Sequence, residues 1–153
     1  MITEIVEVGP MRLACVRHKG PYNEIGAAFG RLGQHAGPLG LFAHPGAAMI
    51  AAYLDDPETK APEELDSVAG VSVPNGVEIG ELEEFLVPGG KFFKAIVMGP
   101  YSGLGKAWSD VCTNLIPEAG LQFAPGIPFE MYMNDCSVTA PEQVRTDIYV
   151  PVQ

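Results

Sequence analysis

One carboxylate has neighbours that could give it a chemical role. In the run Pro128-Phe129-Glu130-Met131-Tyr132-Met133, Glu130 stands among aromatic and apolar residues that read as a strand. A carboxylate in such surroundings selects cations, and nearby ring faces add cation–π attraction of roughly 0.5–2 kcal/mol each. The remaining chemical groups lack useful spacing. Cys15, Cys112 and Cys136 are far apart and odd in number, so neither a disulfide framework nor a zinc site is expected. His18, His35 and His44 are equally scattered and read as ordinary structural or surface histidines. The stretch Gly99-Pro-Tyr-Ser-Gly-Leu-Gly-Lys106 resembles a phosphate loop. Its glycine spacing is wrong, however, and Ala107 follows where Ser or Thr is needed. No nucleophile elbow is present, and no metal or cofactor is expected.

The elements that must position Glu130 come from an internal repeat. Gly20-Pro21-Tyr22 recurs 79 residues later as Gly99-Pro100-Tyr101. The same offset carries Gly26 onto Gly105, Phe29 onto Trp108, Tyr53 onto Tyr132 and Asp56 onto Asp135. Pro62-Glu63 maps onto Pro141-Glu142, Val71 onto Val150 and Val73 onto Val152; only near Gly40-Leu41 and Gly120-Leu121 does the offset become 80. Matches in register over such a span define two copies of one unit, 1–74 and 75–153, within a single domain of residues 1–153.

Each copy follows one plan. An extended stretch (Met11 to His18, Lys91 to Met98) ends at the Gly-Pro-Tyr motif, whose proline suits the first turn of a helix. The helices carry apolar stripes: Tyr22, Ile25, Phe29, Leu32 and Ala36 in one, and Tyr101, Leu104, Trp108, Val111, Cys112 and Leu115 in the other. Two strands follow, Ala47 to Leu54 and Val68 to Val73 in copy one, Pro128 to Met133 and Arg145 to Pro151 in copy two. Asn75 to Glu84 is expected to lead into the first strand of copy two and to lengthen it around Val87-Pro88-Gly89-Gly90. The fold class is α+β: β-α-β-β repeats forming one antiparallel sheet, with both helices on one face and a ligand groove on the other.

Side chains alternate across a strand, so parity assigns faces. Ile50, Ala52 and Leu54 correspond to Phe129, Met131 and Met133; all six are apolar and are expected against the helices, with Ile148, Val150, Phe93, Ala95 and Val97. The free face then holds Met49, Ala51 and Tyr53, Glu130 and Tyr132, Arg145, Asp147 and Tyr149, with Phe92, Lys94 and Ile96. An apolar groove with a few placed polar groups is the usual composition of a small-ligand site. Glu130 replaces Ala51 of the other copy, so the fold itself does not require the acid. The candidate binding set is Glu130, Tyr132, Tyr149, Tyr53, Phe92, Trp108 and Met49. Plainer readings stand beside it. Glu130 pairs with Lys94 or Arg145, the tyrosines are ordinary sheet aromatics, and Trp108 belongs to the core rather than flooring the groove.

Composition narrows the partners. With 47% hydrophobic and 18% charged residues the chain is globular. Its net charge of −10 and the absence of a Lys/Arg stripe argue against direct nucleic-acid binding and favour a cationic ligand or a basic protein partner. The opening MITEIVEV lacks the pattern of a signal peptide, and no window has the length of a membrane span, which makes the cytoplasm the expected location.

The two Gly-Pro-Tyr motifs, the Asp55-Asp56-Pro57 and Pro62-Glu-Glu-Leu65 segments, Glu130-Met-Tyr132, and the closing Thr146-Asp-Ile-Tyr-Val-Pro151 together resemble the GyrI-like family, the effector-binding domains of bacterial transcription activators. The resemblance implies a duplicated β-α-β-β (SHS2) fold, a groove around a pseudo-two-fold axis, and binding of hydrophobic, often cationic compounds at an acid in the position of Glu130. Many members are fused to DNA-binding domains as multidrug sensors; this chain is expected to be a stand-alone binder. Other members resemble hydrolases of cyclopropane-bearing genotoxic compounds. That role would make Glu130 a general base on water and Tyr132 a hydrogen-bond donor. A third implied role is gyrase modulation through a protein interface. The sequence departs from the family where Leu65 is followed by Asp66 rather than Arg; Arg145 holds the corresponding place in copy two.

Overall fold

The computed structural model describes residues 1–153 and divides into two compact units, Pro10–Pro88 and Met1–Gly9 with Gly89–Gln153. In the first, β2 (Met11–Lys19), α1 (Gly26–Ala36), β3 (Met49–Tyr53), β4 (Asp66–Ser72) and β5 (Glu83–Val87) follow in order. Their strands lie antiparallel as β3-β4-β2-β5. The second unit holds β1 (Ile2–Val8), β6 (Gly90–Met98), α2 (Leu104–Asp110), β7 (Phe129–Tyr132) and β8 (Arg145–Pro151). Its strands lie antiparallel as β1-β6-β8-β7. The α+β class and the strand-helix-strand-strand order of each copy are as expected. No helix is long and apolar enough to cross a membrane.

Matched local physics builds the two copies. Gly20 (φ 133°) and Gly99 (φ 127°) close β2 and β6 in backbone conformations that side chains disfavour. Their N–H groups donate to Leu65 O and Val144 O, both at 2.8 Å. Proline then leads into a 3-10 turn, Tyr22–Glu24 or Tyr101–Gly103, and the helix follows. Gly26, Gly30 and Gly33 each cost α1 about 1 kcal/mol relative to alanine. Packing compensates, because Leu32 and Ala36 are fully buried against Ala14 and Val71 of the strands. After α2 the helix widens into a π-helical stretch, Val111–Leu115, where Ile116 N–H donates to Val111 O, before a last turn Ile116–Glu118. Pro117 is the cause: it has no N–H to donate and its ring crowds the preceding turn.

Two strands depart from expectation. Residues 83–87 do not lengthen β6; they form β5, paired along Met11–Cys15 of β2. Pro88 and Gly90 (φ 152°) interrupt the run and redirect the chain. The amino-terminal stretch, counted with copy one, is β1, paired along β6 from Ile2↔Ile96 to Val8↔Gly90.

The parity assigned to β3 and β7 is reversed. Glu130 pairs with Ile148 and Tyr132 with Thr146, and Ile148 packs against Ala107, Val111 and Ile116 of the helix. Glu130 and Tyr132 therefore lie on the helix-bearing face, while Phe129 faces away and stacks on Tyr149. Likewise Met49, Ala51 and Tyr53 share the helix side of their unit, since Met49 pairs with Val71 and packs into the cluster around Leu32. Ile50 and Phe129 are nonetheless completely buried. β3 (MIAAY) is apolar on both faces and carries no sign of which face meets the helix; in β7 the more polar parity, Glu130 and Tyr132, is the one turned to the helix, where Trp108 and Tyr132 donate to the carboxylate. The parities of β6 and β8 are as expected.

Candidate functional site

Strand β7 carries Glu130 toward the helix, and α2 brings Trp108 over it. The indole Nε1 donates to Glu130 Oε1 at 2.6 Å, and the Tyr132 hydroxyl donates to Oε2 at 2.8 Å. The carboxylate is only 3% exposed, and both donors are neutral. Hydrogen bonds offset part of the cost of burying a charge; an isolated buried charge costs several kcal/mol and is normally matched by a counter-charge. Tyr101, from the turn before α2, extends the cluster: its ring lies 5.4 Å from that of Tyr132 and is 40% exposed. The hydroxyl of Thr146, in register with Tyr132 on the same face, is fully buried and has no hydrogen-bond partner.

Burial pushes the Tyr101 phenol up to about 12, with the Cys136 thiol, Asp135 and Glu130 reinforcing the shift. Burial also raises Tyr22 and Tyr149. The unfolded chain ionises its tyrosines near pH 10, before the folded one does, so the stability these tyrosines contribute is unchanged below about pH 10 and is lost between about 10 and 12. A urea-midpoint series with absorbance at 295 nm checks this. The alkaline loss is expected to be shallower in Tyr101→Phe, and an unchanged slope would remove Tyr101 as a source.

Lys94 and Arg145 are engaged elsewhere, on the face away from the helix. Arg145 donates from Nε and Nη2 to Asp147 at 2.9 Å each, and Lys94 Nζ lies 3.7 Å from Asp147 and 3.3 Å from Glu4. The ion pair expected between Glu130 and Lys94 or Arg145 is thus replaced by one centred on Asp147, because β7 presents Glu130 to the other face. Burial lowers the Lys94 pKa, but the neighbouring anionic groups more than offset it, and the net direction is up.

Of the candidate binding set, Glu130, Tyr132 and Trp108 converge. Phe92 and Tyr149 form a separate aromatic cluster with Phe129 on the opposite face, with rings 4.5–6.1 Å apart. Lys94 lies 5.7 Å above the Tyr149 ring. Tyr53 and Met49 belong to the Pro10–Pro88 unit, where Tyr53 packs on Tyr22 with centroids 4.6 Å apart. Tyr22 anchors the turn, donating to Asp55 O at 2.6 Å. Tyr101 and Thr146 were absent from the set. The offset of 79 carries Tyr22 onto Tyr101 and Tyr53 onto Tyr132, and the ring contact between the two recurs in each copy.

A buried carboxylate held by an indole and a phenol, beside a second exposed phenol, is suited to a cation with an apolar body. Known proteins share the sequence and the fold. The DNA gyrase inhibitor of Yersinia enterocolitica is 28% identical over 141 residues, covering 88% of each chain. That of Cronobacter sakazakii is 30% identical over 110 residues, covering 69% of each. The EcmrR C-terminal domain superposes with a TM-score of 0.77 at 19% identity, covering 99% of this chain and 97% of that one. A protein solved bound to tetraphenylphosphonium gives 0.70 at 14% identity, covering 100% and 94%. A hydrolase from Listeria innocua gives 0.69 at 13%, covering 99% and 91%. The family profile of the GyrI-like small molecule binding domain matches residues 1–153, and the chain belongs to that family.

Proposed function

We propose that this chain is a receptor for hydrophobic cations, which it senses or sequesters in the cell interior through Glu130, Trp108, Tyr132 and Tyr101. The observation that carries this reading is the Glu130 carboxylate, 3% exposed and hydrogen-bonded by two neutral groups. A cation on the aromatic side of that carboxylate supplies the missing charge, and a net charge of −10 raises its local concentration. The fold neighbour bound to tetraphenylphosphonium is consistent with this ligand class. Trp108 is the chain's single tryptophan, so its fluorescence reports on the site directly. Titration with tetraphenylphosphonium should give saturable quenching, and triphenylphosphine oxide, neutral and similar in shape, should bind much more weakly. Equal affinity for both would overturn the electrostatic basis.

The Glu130–Tyr132 contact also supports a second reading, hydrolysis of a strained electrophile such as a cyclopropane-bearing genotoxin. Glu130 would take a proton from water and Tyr132 would donate to the developing anion. Recovery of an opened product faster than in buffer supports it; a ligand recovered intact after repeated binding rejects it. The name of the curated relatives supports a third reading, modulation of gyrase. Salt-sensitive binding to gyrase that survives loss of Glu130 would separate it from the other two.

A further inference from the structure

The helix over Glu130 carries one residue more than its counterpart between matched core positions. The offset between the copies is 79 from Phe29 to Trp108 but 80 from Gly40 to Gly120, so an extra residue lies between them. The buried positions place it. In α1 they are Ala28, Leu32 and Ala36, evenly spaced by four. In the second copy Ala107 and Val111 keep that spacing, but Ile116 follows five residues later. The extra residue is therefore taken up inside the helix, by the π-helical stretch Val111–Leu115. The hydrogen bonding changes from Trp108 onward, where Val111 N–H is shared between Ala107 O and Trp108 O. Asn114 Nδ2 donates to Asp110 Oδ1 at 2.8 Å and braces the wide turn, whereas Arg31 and His35 stand at those places in α1. Leu115, about two turns beyond Trp108, packs on the same core cluster as the indole. Single π turns leave regular helix bonds unmade and are frequent at functional sites. This one belongs to the copy that has Glu130 and Trp108; the copy with Ala51 and Phe29 has a regular helix.

We propose that the extra residue of the π turn is a positioning device, which sets the Trp108 indole at hydrogen-bond distance from Glu130 and thereby sets affinity for the cation. The affinity part rests on the cation-binding reading above. The physical reason is the phase of the helix. One added residue in a regular helix would rotate everything after it by about 100°. The wide turn absorbs that angle, so Ile116 docks on the same cluster as Ala107 and Val111. The part of the helix around Trp108 and its last turn are thus seated independently. With Ile116 in place of the smaller Ala36, the α1 pattern cannot close without moving the backbone next to Trp108. A hydrogen bond weakens steeply with misalignment, so a small rotation of the indole is enough to lose its contact with Glu130.

Deleting the exposed Thr113 together with Pro117→Gly gives this helix the spacing of Leu32, Ala36 and Gly37 in α1, and tests the proposal. Trp108 is the only tryptophan, so an isotope-labelled chain gives a single indole N–H resonance by NMR, which reads the bond to Glu130 without any ligand. In the shortened chain, folded by circular dichroism, that resonance should move upfield. Glu130→Gln, which shifts it in the parent chain, should no longer do so. Tetraphenylphosphonium should bind about tenfold more weakly, the size of one cation–π contact. Thr113→Ala, at unchanged length, should alter none of these. A resonance that stays in place and still responds to Glu130→Gln overturns the positioning role. An upfield shift with unchanged affinity rejects its link to cation binding. An upfield shift with no binding by the parent chain overturns the cation reading and leaves the placement of the indole standing. Should the shortened chain not fold, Asn114→Ala decides: it keeps the length and removes the brace, and an unmoved resonance there rejects the proposal.

Discussion

Glu130→Gln is expected to weaken tetraphenylphosphonium binding about 100-fold while leaving the neutral phosphine oxide nearly unaffected. A unit charge about 5 Å from the carboxylate, at an effective dielectric of about 20, gains roughly 3 kcal/mol. That energy corresponds to about 100-fold in Kd. Glutamine keeps the shape and both contacts, because its carbonyl oxygen accepts from Trp108 and its amide donates to the Tyr132 oxygen. The substitution also removes a buried charge, so thermal stability should hold or rise. Calorimetric titration with the cation and the neutral analogue, beside a melting curve, checks all three expectations. Equal losses for both ligands would mean that shape, not charge, had been disturbed.

The second large effect concerns stability. Asp147→Ala is expected to lower unfolding free energy by about 3 kcal/mol, because removing one member of a buried ion pair leaves its partners uncompensated. Asp147 is completely buried, with Arg145 bidentate on it and Lys94 at 3.7 Å. Lys94 also reaches Glu4 of β1, so the loss extends to the docking of the amino-terminal strand. Urea denaturation measures the effect, and hydrogen exchange at Ile2–Val8 should report β1 loosening first. A loss below about 1 kcal/mol would place the group with ordinary surface ion pairs. Ligand binding at Glu130 should change little in this variant while it remains folded, because Asp147 lies on the opposite face of its strands.

These two acids show how differently the sequence treats similar residues. Glu130 was legible as a candidate because Ala51 stands opposite it in the repeat. Asp147 was assigned to the free face with Arg145 and Lys94, but nothing in its neighbours marked it as the completely buried centre of an ion cluster. Its burial follows from register and from β1 lying alongside β6, contacts between segments remote in the chain.

Local rules determined the elements themselves. The strand ends at Gly20 and Gly99, the helices after Pro21 and Pro100, and the repeated order all follow from backbone conformational limits and from periodicity, which act over a few residues. The faces of β6 and β8 were also readable, because one parity there is more polar than the other. Tertiary structure alone decided the face of β3 and β7, and with it the surroundings of Glu130. Ile50 and Phe129 are as buried as the residues that meet the helices. β3 is apolar on both sides and gives alternation no direction. In β7 alternation points the wrong way: pairing with β8 turns the Glu130 side to the helix, where Trp108 and Tyr132 satisfy the carboxylate, and that is set by packing between elements distant in sequence.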